Sequence, residues 1–231
     1  MQQSRLSMTE RMASIHRAQP RPTVQVRLGE GCILEGEPGA TLEEFACVAN
    51  DDSGAPIVAA LVEGELQELS LPVMRDVDVQ WIDTSTTDGM RIYRRALTFL
   101  LVAAVSELFP GARLHIDYSM TFGGLFCHVD QRPPFTPDEL QAIERRMQEL
   151  VAQNVPILRE ELPIEQAIAE FRAKGDEEKA SLLVAAAQSG KREVAIYQLG
   201  QHRNHFHGYM APRTGYLRWF DLVHYPPGFV I

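Results

Sequence analysis

The sequence predicts an α+β fold divided into two domains, and three observations support this prediction. Short alternating segments, one capped helix and glycine turns fill residues 21–83. The stretch from Gly89 to Leu108 is apolar on nearly every side, which is typical of a central, buried helix. Amphipathic helices and strands follow it. We therefore expect a flexible segment over residues 1–20, a small domain over 21–83 and a larger α+β domain over 84–231.

The small domain begins with a predicted hairpin. Apolar residues alternate from Thr23 to Leu28, and two glycines follow at a short interval. Thr41 and Glu44 form a capping box that predicts a helix to about Ala49. Short strands are predicted over 57–70 and 77–82. This order of elements fits a β-grasp (ubiquitin-like) fold, although periodicity by itself leaves other small α+β folds open.

The larger domain opens with the long apolar helix, which Pro110 and Gly111 terminate. Thr136, Pro137 and Glu139 predict the start of another helix, because they supply an N-cap, a proline at the first position and a capping glutamate. The residues after His202 show no clear pattern. The other predicted elements are a hairpin (113–119 and 125–130), helices from Pro163 and Asp176, and a strand over 193–199.

Composition and charge narrow the classes of function. The first 83 residues hold 6 Lys and Arg against 14 Asp and Glu, whereas residues 84–231 hold 16 against 17. An acidic first domain cannot grip a phosphate backbone by charge, because such binding depends on clustered Lys and Arg. No apolar run suits a secretory signal or a membrane span. We therefore expect a cytoplasmic protein without a membrane partner.

Residues that could carry chemistry are sparse. Cys32, Cys47 and Cys127 are widely spaced without a CxxC pair, which argues against a disulfide framework and a cysteine zinc site. The stretch 185–192 resembles a phosphate loop but lacks its first glycine and the Ser or Thr that would hold magnesium. It therefore predicts only a helix end and a turn.

The histidines do not show a metal-ligand pattern. His202, His205 and His207 are spaced by three and two, which is not the i, i+4 spacing of a helical pair. We interpret them as exposed or hydrogen-bonded side chains. His115 and His128 lie on the strands of one predicted hairpin and are interpreted as packing or edge residues. We therefore expect no metal site and no stoichiometric zinc.

Several stretches of the second domain resemble a known family. Asp88–Leu97, Leu108–Gly111 and Gly124–Cys127 are similar to the second domain of threonyl-tRNA synthetases, and the helices of 136–175 continue the match. The acidic segment before them resembles the TGS domain that precedes this module in those enzymes. The resemblance covers about residues 21–231. It implies a TGS-type β-grasp followed by an editing-type α+β domain of threonyl- and alanyl-tRNA synthetases.

One variant of this module fits more closely. Gly208–Leu217 and Tyr225–Val230 resemble the N-terminal region of bacterial uridine kinase-like proteins, in which the same two domains precede a P-loop kinase domain. The resemblance implies that the parent protein is an ATP-dependent nucleoside kinase. ATP and Mg would then serve only a C-terminal kinase domain, with no cofactor in this segment. We expect the gene to continue past Ile231 into that domain.

The resemblance also implies where editing chemistry would lie. In the synthetases, two histidines four apart on a helix, and a Cys and a His four apart near the end, surround a metal or an attacking water. These positions fall on Arg95, Phe99, Gly208 and Pro212. Arg cannot ligate a cation, and Phe, Gly and Pro offer no side-chain donor. We therefore expect no catalytic residue and no deacylation of seryl-tRNA.

A candidate ligand cleft remains. Its residues are Arg91, Arg95, Tyr209, Arg213 and Tyr216. The two helical arginines are one turn apart, and the resemblance places their face toward the other three. Arginines beside aromatic rings suit a nucleotide or another phosphate-bearing ligand. The alternative is that Arg95 fills the vacated pocket and pairs with an acid such as Asp117.

These observations predict a non-catalytic regulatory or ligand-binding module of a uridine or nucleoside kinase-like protein. Its expected partners are the C-terminal P-loop kinase domain of the same protein and a nucleotide. Two alternatives stay open. One is a trans-acting aminoacyl-tRNA deacylase with an unrecognised set of catalytic residues, and the other is a tRNA-binding adaptor without chemistry. The acidic charge of the first domain counts against both.

Overall fold

An α+β architecture, as predicted, fills residues 21–49, 54–120 and 124–231, which the computed structural model describes. The predicted N-terminal segment 1–20 lies outside the described residues. No helix within the described ranges is both long and apolar enough to cross a bilayer. The helices are α1 (Leu42–Ala49), α2 (Thr87–Leu108), α3 (Pro137–Ala152), α4 (Ile164–Ala173) and α5 (Glu177–Gln188).

The first sheet has five strands in the order β2-β1-β5-β3-β4. They are β1 (Val24–Leu28), β2 (Ile33–Gly36), β3 (Ile57–Val62), β4 (Glu65–Glu68) and β5 (Val77–Asp83). The central pair, β1 and β5, is parallel, and the other pairs are antiparallel. With α1 between β2 and β3, this is the β-grasp topology that the order of elements predicted.

Helix α1 begins with the predicted capping box. The backbone N–H of Thr41 donates to the Glu44 carboxylate at 2.7 Å, and that of Glu44 donates to Thr41 Oγ1 at 3.3 Å. Buried Leu42 and Phe45 then hold the helix against the sheet. A Cβ on Gly36 would lie 2.7 Å from the Phe45 ring, so the close approach of β2 to α1 requires glycine there.

Two further sheets and helix α3 pack with α2 around one core. The sheets have the orders β11-β12-β7-β6 and β10-β9-β8. Phe99, Leu100 and Leu101 of α2 are fully buried, which confirms the predicted central helix. The strands are β6 (Arg113–Ser119), β7 (Leu125–Asp130), β8 (Ile157–Pro163), β9 (Glu193–Leu199), β10 (His202–His205), β11 (Val223–Tyr225) and β12 (Gly228–Val230).

Helix α2 also contacts the first sheet near its N-terminal end. Ile92 packs in one buried cluster with Val58 of β3 and Ile82 of β5. Thr86 caps the helix by accepting a hydrogen bond from the N–H of Gly89 at 3.1 Å. The first sheet is therefore fixed against α2, so that side chains of its edge strand β4 reach the second half of the chain.

Strand β8 is an element that the sequence analysis missed. Only Ile157 and Leu162 are buried, and the four residues between them are exposed, because β8 is an edge strand of its sheet. Its pattern therefore lacks the alternation that identifies a half-buried strand. The segment after His202, left without an assignment, holds β10, a 3-10 turn at Thr214–Tyr216 and the hairpin of β11 and β12.

Candidate functional site

The face of α2 that carries Arg95 is closed by the backbone at residues 208 and 209. Arg95 Nη1 donates a hydrogen bond to the carbonyl oxygen of Tyr209. A Cβ on Gly208 would lie 2.9 Å from Arg95 Cζ, and the φ of Gly208 is +84°. The positive φ favours glycine at 208, and the Arg95 guanidinium lies against the space that a Cβ would enter. The guanidinium occupies the volume in which a larger side chain at 208 would lie.

Burial changes the electrostatics of Arg95. It lowers the pKa of the guanidinium, and the neighbouring Arg91 lowers it further, whereas Tyr197 and Glu68 act in the opposite direction. A half-buried charge is tolerated only when hydrogen bonds and opposite charge compensate it. The Tyr209 carbonyl and the nearby carboxylate of Glu68 supply that compensation.

Glu68, from strand β4, is the buried carboxylate of this region. The residue is 8% exposed, and its Oε1 accepts from the Tyr197 hydroxyl and from the N–H of Met210 at 3.2 Å. Arg159 Nε lies 3.7 Å from its other oxygen. Burial raises the pKa of Glu68 above its ordinary value, although these partners and Arg95 oppose the shift.

The Tyr197 hydroxyl links Glu68 to the closed face of α2. Besides its contact with Glu68, the hydroxyl oxygen lies 3.0 Å from the carbonyl oxygen of Gly208. A phenol carries one hydrogen, so the Tyr197 hydroxyl donates to one of these two oxygen atoms at a time. It thereby joins the buried carboxylate to the backbone at Gly208.

The other two former ligand positions are part of the core. Phe99 is fully buried and makes edge-to-face contacts with Tyr197 and Phe206, at centroid distances of 6.5 and 5.4 Å. Pro212 is buried, and its carbonyl oxygen accepts from the N–H of Ile157 at 2.8 Å. Neither residue offers a side-chain donor, and both are part of the packed core.

The structure divides the five predicted cleft residues into three groups. Arg95 and Tyr209 meet through the hydrogen bond described above. Arg91 is exposed and forms an ion pair with Asp88 at 3.3 Å. The alternative partner proposed for Arg95 from sequence, Asp117, is wrong, because Arg95 turns toward the backbone at 208–209 and the Asp117 carboxylate contacts His128 at 2.8 Å.

Arg213 and Tyr216 meet at Glu43 on helix α1. Arg213 Nε lies 3.0 and 3.2 Å from the two carboxylate oxygens, and the Tyr216 hydroxyl donates to Oε1 at 3.3 Å. Burial and the adjacent Glu43 raise the pKa of Tyr216. Tyr216 also packs against three separate hydrophobic clusters. This pair therefore fastens α1 and the first sheet to the rest of the chain.

Two of the clustered histidines, His202 and His205, make hydrogen-bond contacts, and the rings of His205 and His207 pack edge to face at 4.8 Å. His202 Nδ1 lies 3.2 Å from Ser106 Oγ, and its ring packs on Phe99 at 5.4 Å. Burial, with Lys179 and Lys174, lowers the pKa of His202 to about 4. His205 Nδ1 lies 2.8 Å from the Ala195 carbonyl oxygen. Residues 202 and 205 point to opposite faces of β10, because strand side chains alternate.

An open cavity, which the sequence analysis missed, lies on a neighbouring face of α2. Its volume is about 300 Å³. The Tyr93 hydroxyl donates to the Trp219 carbonyl oxygen at 2.9 Å and accepts from the Trp219 N–H at 2.8 Å, which fixes one wall. Thr84, Arg94 and Thr98 add polar groups. The apolar lining comes from Met90, Tyr93, Leu97, Leu125, Trp219 and Phe220.

Arg94 and Trp219 are two side chains of this cavity that are exposed to solvent. Arg94 is exposed and has no ion-pair or hydrogen-bond partner within the part of the chain that the structure describes. Trp219 is 75% exposed, so one face of its indole is free. An apolar cleft with one convergent cation can bind a ligand that joins a flat apolar body to an anionic group. The sequence signal was weak, because Trp219 lies in the unassigned tail.

No protein-family model matches the chain. Its curated relatives are threonine–tRNA ligases, with 31% identity to that of Laribacter hongkongensis over 198 residues. Identity is 30% over 198 residues to that of Azoarcus sp. and 30% over 200 residues to that of Polaromonas naphthalenivorans. The matches cover 86 or 87% of this chain but 31% of each ligase. The chain therefore spans about a third of the length of the curated relatives it matches.

Fold and sequence similarity together define the class of domain. An α+β unit built round the buried helix α2 is the architecture that the resemblance implied. The similarity to threonine–tRNA ligases over most of the chain supports a threonyl-tRNA-synthetase-type domain. The proposal below rests on the contacts of Arg95, Phe99, Gly208 and Pro212, the positions to which the resemblance assigned editing residues.

Proposed function

We propose that this chain is a non-catalytic, ligand-binding module of the TGS-plus-editing-domain type, belonging to a uridine or nucleoside kinase-like protein. One observation carries the proposal: the Arg95 guanidinium fills the space in front of Gly208 and is bonded to the Tyr209 carbonyl. The pocket in which the resembling enzymes would hold an attacking water is thereby occupied by the protein's own side chain.

The loss of catalysis follows from the groups at that pocket. Hydrolysis of an aminoacyl ester requires a water that is oriented and deprotonated beside donors for the developing oxyanion. The Arg95 guanidinium has no lone pair to accept a proton and Phe99 is apolar, so neither can deprotonate water. Removing such groups costs an enzyme several kcal/mol of transition-state stabilisation, or on the order of 10³-fold or more in rate.

A deacylation assay tests this part of the proposal. The chain is incubated with seryl-tRNA, and a threonine–tRNA ligase serves as the positive control. We expect the rate of hydrolysis with this chain to equal that in buffer. Acceleration that is lost in Tyr197→Phe would instead show a trans-acting deacylase. Retention of tRNA without hydrolysis, in a gel-shift experiment at physiological salt, would favour the adaptor.

The ligand is proposed to enter the open cavity beside Arg94. A nucleotide has the required parts, since its base can stack on the exposed indole of Trp219 while a phosphate pairs with the free Arg94 guanidinium. This site replaces the cleft proposed from sequence, where Arg91, Arg95 and Arg213 already have partners. The proposed cis partner is a C-terminal P-loop kinase domain, which would hold the ATP and Mg.

Calorimetry with UTP, CTP and ATP tests the binding site. Arg94→Ala and Arg95→Ala are matched variants, since they remove the same side chain from adjacent positions of one helix. We expect Arg94→Ala to weaken binding about 10- to 100-fold, the usual effect of losing a charge-assisted hydrogen bond. Arg95→Ala should leave affinity unchanged. Absence of binding by all three nucleotides, or weakening only in Arg95→Ala, would overturn the assignment to the Arg94 cavity.

A further inference from the structure

The hairpin of β6 and β7 places two histidines and two aspartates on one face. His115 and His128 are directly opposite each other across the strands, and Asp117 and Asp130 each lie two residues further along their own strand. Side chains two residues apart share a face of a strand, so the four groups converge. The imidazole rings stack with centroids 4.9 Å apart and an interplanar angle of 12°.

Three of these side chains bring ligand atoms close together. Asp130 lies 3.0 Å from His115 Nε2 through one oxygen and 3.7 Å from His128 Nε2 through the other. Tetrahedral zinc with bonds near 2.0–2.2 Å separates its ligand atoms by about 3.3–3.5 Å, which these two distances bracket. One ligand atom from each residue lies within 4.8 Å of the others.

Hydrogen bonding within the cluster leaves the buried His115 Nε2 without a partner. His115 Nε2 is shielded from solvent, yet the 3.0 Å approach of Asp130 does not have hydrogen-bond geometry. His128 Nδ1 lies 2.8 Å from Asp117, which fixes the hydrogen on that nitrogen in the neutral ring. The lone pair of His128 Nε2 then faces the Asp130 carboxylate. Two acceptors pointed at each other are unfavourable unless a cation lies between them.

We propose that His115, His128 and Asp130 form a binding site for one divalent transition metal, for which zinc is the representative ion. Imidazole and carboxylate donors suit this class of metal, and three protein ligands leave one coordination position open for water. Asp117 is a positioning residue, because it accepts from the second ring nitrogen of His128 as the outer carboxylate does in carboxylate–histidine–zinc triads. This proposal replaces the sequence-based expectation of a chain without zinc.

The site is separate from the positions where the resembling enzymes hold their editing residues. Those positions lie on α2 and the segment 208–212, whereas this cluster lies on the outer face of the β6–β7 hairpin. Cys127, which precedes His128 on β7, is fully buried and points to the opposite face of the strand. A metal here would join the two strands of the hairpin and stabilise the folded state through binding.

Zinc titration of the chelator-treated chain at pH 7.5 tests the proposal by calorimetry. The experiment uses a Cys32→Ser, Cys47→Ser background, because both exposed thiols could bind zinc independently. We expect one equivalent of zinc and a higher melting temperature with zinc. His224→Ala, an exposed histidine of the same sheet, is the control and should bind as the background does.

The variants distinguish ligands from positioning. His128→Ala and Asp130→Asn should each weaken zinc binding at least 100-fold, while Asp117→Asn should weaken it about 10- to 100-fold, the usual effect of removing an outer partner. Melting temperatures without zinc identify any variant that fails to fold, and Asp130→Asn changes shape least. Absence of saturable binding would overturn the proposal. Equal binding by the background and Asp130→Asn would do so as well, by showing that the cluster holds only a proton.

Discussion

Arg94 and Arg95 are neighbours in the sequence, but they have opposite roles on helix α2. Successive helical residues point about 100° apart, so the two guanidinium groups face different surroundings. Arg95 is half-buried, donates a hydrogen bond to the Tyr209 carbonyl oxygen and packs against the backbone of Gly208. Arg94 lies at an open, apolar cavity and has no partner among the described residues. The same side chain is thus structural at one position and available for binding at the next.

The difference lies in the acceptors that each face supplies. The Arg95 side is lined by polar groups that are already matched, since Glu68, Tyr197 and two backbone carbonyls share the available hydrogen bonds. The Arg94 side has mainly aromatic and aliphatic walls, and no hydrogen bond holds the Arg94 guanidinium there among the described residues. The Arg95 side is therefore part of the interface between the first sheet and α2.

The largest effect on the free energy of unfolding is expected from a substitution on the packed side of α2, where Arg95 lies. Phe99→Ala removes a fully buried ring that packs on Tyr197, Phe206 and His202. We expect the free energy of unfolding in urea to fall by about 4 kcal/mol. Trp219→Ala, on the open side, should change it by less than about 0.5 kcal/mol because the indole is exposed. Equal losses in the two variants would remove the distinction between the faces.

A second prediction concerns the carboxylate that the first sheet contributes. Glu68→Ala leaves the Met210 N–H, the Tyr197 hydroxyl and Arg159 without their acceptor in a buried region. We expect a loss of about 3 kcal/mol, measured by urea unfolding. Glu68→Gln keeps the size and most of the hydrogen bonds, so it should lose clearly less. If both variants unfold like the parent chain, Glu68 does not hold the sheet to α2.

The third prediction concerns pH and has a smaller effect. The pKa of His202 is lowered to about 4 in the folded state, chiefly by burial, from a reference value of 6.5. Below pH 6.5 the unfolded chain therefore takes up a proton that the folded chain does not, so this contribution to stability falls until pH reaches about 4. His202→Gln keeps a partner for Ser106 and should show a flatter melting temperature between these pH values. Parallel profiles of melting temperature against pH for the two proteins would contradict the lowered pKa of His202.

Local signals in the sequence were sufficient for much of the fold. Both capping boxes, at Thr41 and Thr136, were recognised because an N-cap and its glutamate are three residues apart. The buried helix α2 was recognised from its uniform apolar character. Strand β8 could not be recognised, because its exposed middle depends on its position at a sheet edge.

The candidate site required information that a sequence pattern does not hold. The resemblance assigned Arg95, Phe99, Gly208 and Pro212 to the former ligand positions, but it could not say what would fill the pocket. The groups that surround Arg95 include Glu68, which is distant in sequence and comes from the first sheet. The Arg94 cavity depends on Trp219 and Phe220, whose neighbours only the tertiary structure defines.

The central claim is that Arg95 is a structural part of a closed pocket and Arg94 is not. The most direct test compares urea unfolding of Arg95→Ala and Arg94→Ala with that of the parent chain. We predict that Arg95→Ala lowers the free energy of unfolding by about 2 kcal/mol, because a charge-assisted hydrogen bond and a packed side chain are lost. Arg94→Ala should match the parent. An Arg95→Ala chain as stable as Arg94→Ala would contradict the account.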